Sequence, residues 1–146
     1  MIPTDKKREG EAPMKTVLQP EGWPRPRGYA NGVSAQGRQV FVAGMVGWNA
    51  AAEFDSDDLV DQVRQALQNV KAVLAEAGAR PEHMVRMTWY VVDRADYLAR
   101  GRDIGAAYRD VMGHYDVAMS AVEVSALMEE RAKVEIEVTA VVPQAL

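Results

Sequence analysis

The sequence predicts an α+β fold: a mixed β-sheet with two helices on one face, in the order β-β-α-β-α-β-β. Three observations carry this. Val122, Val124, Val134, Ile136 and Val138 alternate with Glu123, Glu135 and Glu137, the period-two pattern of half-buried strands. "FDSDDLVDQVRQALQNVKAVLAEAG" sets Val60, Val63, Leu67, Val70 and Leu74 at helical spacing, one apolar stripe. Each of the two helix-like stretches is flanked by strand-like ones, and the alternating glutamates leave one sheet face that helices do not cover.

In chain order, residues 1–13 have no periodicity and are rich in charge and proline, so they read as a disordered arm. Met14 follows directly, and a functional start there makes residues 14–146 a single domain. Thr16 to Leu18 suits a short strand. Pro20, Pro24 and Pro26 then impose an extended loop that carries Trp23 and Tyr29. "GVSAQGRQVFVAGMVGW" reads as a hairpin turning near Gln36-Gly37. In the long helix Ser56 or Asp55 can serve as N-cap, Asp57 and Asp58 suit the positive end of the dipole, and Gly78 suits the C-terminal cap. Its stretch "RQALQNVK" reads as a solvated face. "HMVRMTWYVVD" suits a central strand, and "ADYLARGRDIGAAYRDVMG" a second helix weakened by Gly101 and Gly105. Residues 114–138 are expected to close the domain as a hairpin whose three glutamates share one face.

Composition narrows the classes. With 146 residues, 48% hydrophobic and 26% charged, the chain has the makeup of an ordinary globular domain. No run suits a membrane span or a signal peptide, and cysteine is absent, which excludes thiol nucleophiles and thiolate metal sites. A cytoplasmic location is expected. Net charge is −4, whereas a general nucleic-acid binder carries a basic surplus; Lys15, Arg25, Arg27 and Arg38 could make only a local patch. His83 and His114 are too few and too separate for a metal site. No cofactor is called for.

"RGYANGV", "VFVAGMVGW", "QVRQALQNVKAVLAEAG", "VRMTWYVVD", "AAYRDVM", "MSAVEV" and "KVEIEVTAV" occur in an order and spacing that resemble the RidA family, also called YjgF, which bears the legacy label endoribonuclease L-PSP. The resemblance covers residues 18–143. It implies the chorismate-mutase-like fold and a homotrimer around a central barrel, with helices outside and three ligand clefts between subunits. It also implies hydrolysis of enamines and imines such as 2-aminoacrylate.

Carried over residue by residue, the resemblance gives Tyr29 the family's tyrosine position and Glu135 that of the carboxylate holding the hydrolytic water. Gly44 falls where the backbone nears the ligand. Desolvation in such a cleft favours a neutral acid and makes a carboxylate a usable proton carrier. Other positions depart. Met119 stands where the family has the arginine that grips a substrate carboxylate, and methionine is uncharged at every pH. Asn31 replaces a glutamine, "AGM" (Ala43 to Met45) a serine-glycine-glutamine, Gly105 an asparagine and Ala121 a cysteine. A less polar cleft suits a more apolar or aromatic ligand. Arg25, Arg27 or Arg131 could supply another cation.

Bland readings stand beside these. Glu123 and Glu137 read as surface or interface residues, Met119 as space-filling, and Tyr29 as a packing residue whose hydroxyl bonds backbone. Trp48 could lid the cleft or cap the core. Two functions follow: hydrolytic deamination of an imine or enamine other than 2-aminoacrylate, or non-catalytic binding of a small molecule. Ribonuclease action ranks last, since neither charge nor histidine content supports it.

Overall fold

A computed structural model describes residues 15–144; the arm expected over residues 1–13 lies outside the described residues. The elements are β1 (Lys15–Leu18), β2 (Gly32–Ala35), β3 (Arg38–Val46), α1 (Leu59–Glu76), a short 3-10 turn (Pro81–His83), β4 (Met84–Val91), α2 (Arg94–Ala99), α3 (Gly101–Met112), β5 (Ala118–Glu123) and β6 (Val134–Val142). Four strands form a mixed sheet in the order β3-β6-β4-β5, while β1 and β2 pair with each other. The main helices α1 and α3 pack together against the sheet. The α+β class and the uncovered sheet face stand as expected.

Two pairings differ from expectation. The stretch through Gln36-Gly37 is a corner, not a hairpin. β2 is already paired with β1, and β3 runs along β6 from Arg38 opposite Val142. Gly37 makes this turn because its φ is +148° and a Cβ there would overlap the carbonyl oxygen of Val142. Residues 114–138 are not a hairpin either. β6 inserts between β3 and β4, antiparallel to both, and β5 lies parallel to β4 at the sheet edge. A parallel pair needs a long crossover, which α2 and α3 supply.

This order separates the three glutamates. In β6, Val134, Ile136, Val138 and Ala140 are buried while Glu135 and Glu137 face outward. In β5 the register sets Val122 beside Tyr90 on the bare face, and Glu123 beside Val91 on the helix side. There Glu123 accepts the Arg94 backbone N–H at 2.8 Å, at the start of α2.

The caps of α1 are local and specific. Its N-cap is Asp58, two or three residues later than expected, and the carboxylate accepts the Asp61 N–H at 3.1 Å. Ser56 instead supports Asp58 and donates to Asp61. At the other end Gly78 (φ +68°) closes a Schellman motif, its N–H to Ala75 and the Ala79 N–H to Leu74. The second expected helix is two, α2 and α3, broken at Arg100. That residue donates two bonds to Asp58, at 3.0 and 3.4 Å, and so ties the break to the start of α1.

"RQALQNVK" proves only half solvated, because Ala66, Leu67 and Val70 are buried and Asn69 donates to the carbonyls of Val46 and Trp48. Trp89, Leu67, Leu74, Met84, Met87 and Ile136 form the centre of the core. Gln62 is buried yet fully engaged: it donates to Ser56 and Arg131 carbonyls and accepts the Lys133 N–H at 2.7 Å, which pins the segment before β6 to α1. Among the described residues no helix is long and apolar enough to cross a membrane.

Candidate functional site

The proline-rich loop is stitched to the edge strand. Ala30 donates its N–H to Val117 at 2.9 Å and forms a bridge with Ala118, the first residue of β5. Asn31 donates to Gln19 at 3.1 Å, and Gln19 in turn donates to the Trp23 and Pro24 carbonyls. Asn31 therefore braces the loop and does not point a free amide at a ligand. The braced loop holds Arg25, Arg27 and Tyr29 over a cleft of about 650 Å³.

Met119, Trp89, Ile104, Tyr97 and Tyr108 make the cleft's apolar walls, and Arg109, His114 and Asp116 stand with the loop arginines among its polar lining. Met119 lies opposite Met87 in the parallel register, on the helix side, half-buried against the core. Tyr108 donates to the Met87 sulfur at 3.7 Å. Burial pushes the Tyr108 hydroxyl up to about 12 and raises that of Tyr97 as well, so both act as neutral walls near pH 7. Trp89 is 1% exposed, and its indole N–H has no partner among the described residues.

The other expected residues lie elsewhere. Glu135 and Gly44 meet on the bare sheet face. The β3–β6 register skips between Val42 and Met45, so two residues of β3 oppose one of β6. A Cβ on Gly44 would sit 2.7 Å from the Glu135 carboxyl carbon, so only glycine lets that side chain lie across β3. Among the described residues the Glu135 carboxylate has no hydrogen-bond partner. Glu137 does: it accepts the Tyr90 hydroxyl at 2.7 Å, and this bond raises the Tyr90 pKa. Phe41 is 71% exposed on the same face.

Trp48 caps the turn before α1, its ring 5.9 Å from that of Phe54. Arg131 lies 5.6 Å over Phe54 and bonds Asp57 at 3.0 Å, away from the cleft of its own chain. Ala121 sits opposite Trp89 on β5 and is exposed. One chain thus brings Tyr29 and Met119 together, pairs Glu135 with Gly44, and keeps the two groups apart. Sequence reasoning missed Arg109, although its four-residue spacing from Gly105 puts both on one face of α3. Among the described residues no group of three metal-ligating side chains forms.

A mixed sheet covered by helices on one side, bare on the other and flanked by a cleft at its edge strand defines the chorismate-mutase-like class of α+β proteins. Residues 24–142 match the family described as Endoribonuclease L-PSP. A RutC family protein of Pyrococcus horikoshii is 33% identical over 129 residues, spanning 87% of this chain and 98% of that one. The 2-iminobutanoate/2-iminopropanoate deaminase of Salmonella typhimurium is 31% identical over 116 residues, 77% of this chain and 86% of the deaminase. Among solved structures, the Rid-family protein YyfB of Yersinia pestis superposes with a TM-score of 0.75 at 37% identity, covering 88% of this chain and 99% of that one. TdcF of E. coli with bound serine gives 0.62 at 27% identity, covering 86% and 98%. The chain belongs to the RidA/YjgF family.

Proposed function

We propose that three copies of the chain assemble through their bare sheet faces, so that Glu135 of one copy closes the Tyr29–Met119 cleft of the next. The composite site hydrolyses an imine or enamine bulkier than 2-aminoacrylate. One observation carries the reading: a carboxylate without a hydrogen bond among the described residues, laid over Gly44 on a sheet face that its own helices leave uncovered. The deaminase relative and the serine bound to TdcF support a small amino-acid-derived ligand.

In the reaction, Glu135 takes a proton from water as the oxygen attacks the carbon of the protonated imine. The C=N electron pair moves to nitrogen, giving a carbinolamine. Glu135 returns the proton to that nitrogen, then takes the hydroxyl proton as the C–N bond breaks and C=O forms, so a ketone and ammonia leave. Tyr29 positions the substrate by its hydroxyl. Met119 supplies an apolar wall against which a bulky group packs, and 2-aminoacrylate, which has none, is held poorly.

The test supplies two substrates in place, 2-aminoacrylate from a lyase and the imine of phenylpyruvate from an amino-acid oxidase, and follows keto-acid release. Acceleration of the second and not the first is expected. Glu135→Ala should lower it roughly 100-fold or more. Rapid turnover of 2-aminoacrylate would refute the argument from Met119. Light scattering should give a trimer, and a stable monomer would sink the composite site. A second reading, a trimeric binder without catalysis, rests on the lost polar groups at Ala43, Gly105 and Ala121; ligand binding without turnover of either imine would favour it.

A further inference from the structure

Resting on the reading of the cleft as a small-molecule site, we propose that Arg109 is its anion-binding residue. Gly105 makes room for it, and the ligand class is a carboxylate bearing an aromatic or similarly bulky apolar group.

Gly105 lies inside α3, where glycine costs about 1 kcal/mol relative to alanine. Space explains it. A Cβ at 105 would approach the Arg109 Nη1 atom to 3.2 Å, closer than side chains normally tolerate, and the cleft lining includes both residues. Helical side chains lean toward the N-terminus, and the Arg109 guanidinium lies back over the preceding turn. It is thereby carried away from the carbonyls at the C-terminal end of α3, which would otherwise be its natural partners.

Neighbouring charges are engaged elsewhere. Asp110 pairs with Arg64 at 3.2 Å, Arg100 with Asp58 at 3.0 Å, and the Val111 carbonyl accepts from Lys71 at 3.2 Å. Among the described residues Arg109 has neither an ion pair nor a side-chain hydrogen bond. Asp116 shares this cleft and a second, smaller hollow with Arg25, leaving Arg27 and Arg109 as surplus positive charge in a chain of net charge −4. An anion is the complement to such a lining, and a guanidinium grips a carboxylate through two parallel bonds.

The walls specify the rest of the ligand. Tyr29, Tyr97, Tyr108 and Met119 offer aromatic rings and a polarisable thioether, which favour a flat apolar group. A volume of about 650 Å³ exceeds what a three-carbon acid fills and falls in the range of sites for larger metabolites.

The experiment titrates the full-length protein with phenylpyruvate, pyruvate and the uncharged ketone phenylacetone, following tryptophan fluorescence and calorimetry. The wild type should bind phenylpyruvate at least about tenfold more tightly than either other probe. Arg109→Gln should weaken phenylpyruvate by roughly tenfold or more, Arg109→Lys should restore part of the loss, and phenylacetone should bind all three proteins alike. Melting curves for both variants, altered at an exposed side chain, check that folding is kept. Equal phenylpyruvate affinity in wild type and Arg109→Gln overturns the role of Arg109 while leaving the cleft reading intact. Preference for pyruvate, or equal binding of phenylacetone and phenylpyruvate, overturns the ligand class. Failure of all three probes to bind sinks the small-molecule reading together with this one.

Discussion

β5 ends on Val122-Glu123 and β6 begins on Val134-Glu135, the same apolar–acidic pair with opposite fates. β6 is central, hydrogen-bonded on both sides, with its apolar residues closed into the core and Glu135 and Glu137 outward. β5 is an edge strand bonded on one side, with Val122 outward and Glu123 turned toward α2. An alternating segment therefore carries a face but not an address. Which side becomes the inside depends on the strand it lies beside and on the helices that cover that strand.

The contrast can be broken by substitution, beginning with the core. Ile136→Ala should cost about 2–5 kcal/mol in denaturant unfolding, because the side chain is fully buried and its removal leaves a cavity. Val122→Ala should change stability by about 0.5 kcal/mol or less if β5 faces water. A loss well above that at Val122, which is 44% exposed in one chain, would mean that another copy covers the edge strand. Gln62→Leu comes next. It removes three part-buried bonds, to the Lys133 N–H and two carbonyls, so a loss of about 1–3 kcal/mol is expected, with protection from hydrogen exchange falling first at Lys133.

Smaller effects separate the glutamates. Glu123→Ala should destabilise by about 0.5–1 kcal/mol, since it unbinds an N–H in the first turn of α2, and amide exchange at Arg94 should quicken. Glu137→Gln should act instead on Tyr90. The bond to the carboxylate lets folded Tyr90 hold its proton more tightly than the unfolded chain does. Its contribution is thus whole below about pH 10 and is lost as pH rises through the folded-state value. An ultraviolet titration should show Tyr90 ionising earlier in Glu137→Gln. No change would mean that the carboxylate is not the cause. Asp58 works in the other direction: the Arg100 bond, with the Asp61 N–H, holds its carboxyl below the usual range, so stability is lost as pH falls through that lowered value. Asp58→Asn should flatten this acid limb of the stability curve.

Local chemistry was legible in the sequence where one segment contains both partners. The glycine stop of α1 and its apolar stripe need nothing from outside the helix. The insertion of β6 was not legible, because pairing partners far apart in the chain leave no mark on either strand's period. The α2–α3 break was half visible in Gly101, but the Arg100–Asp58 contact that fixes it spans distant segments. In the candidate site, Tyr29, Met119, Gly44 and Glu135 came into view through ordered motifs, and the structure joins them two by two. Arg109 was hidden because a helical arginine reads as solvated until the missing side chain four residues earlier is noticed.

The skipped residue in β3 has a consequence for how this sequence can change. Removing one amino acid between Val42 and Met45 would straighten the ladder and look harmless by every local measure. It would also slide a side chain under Glu135 and lift the acid off the sheet. Length at that point is under tighter constraint than identity, and a homologue one residue shorter there should have moved its acid or abandoned it.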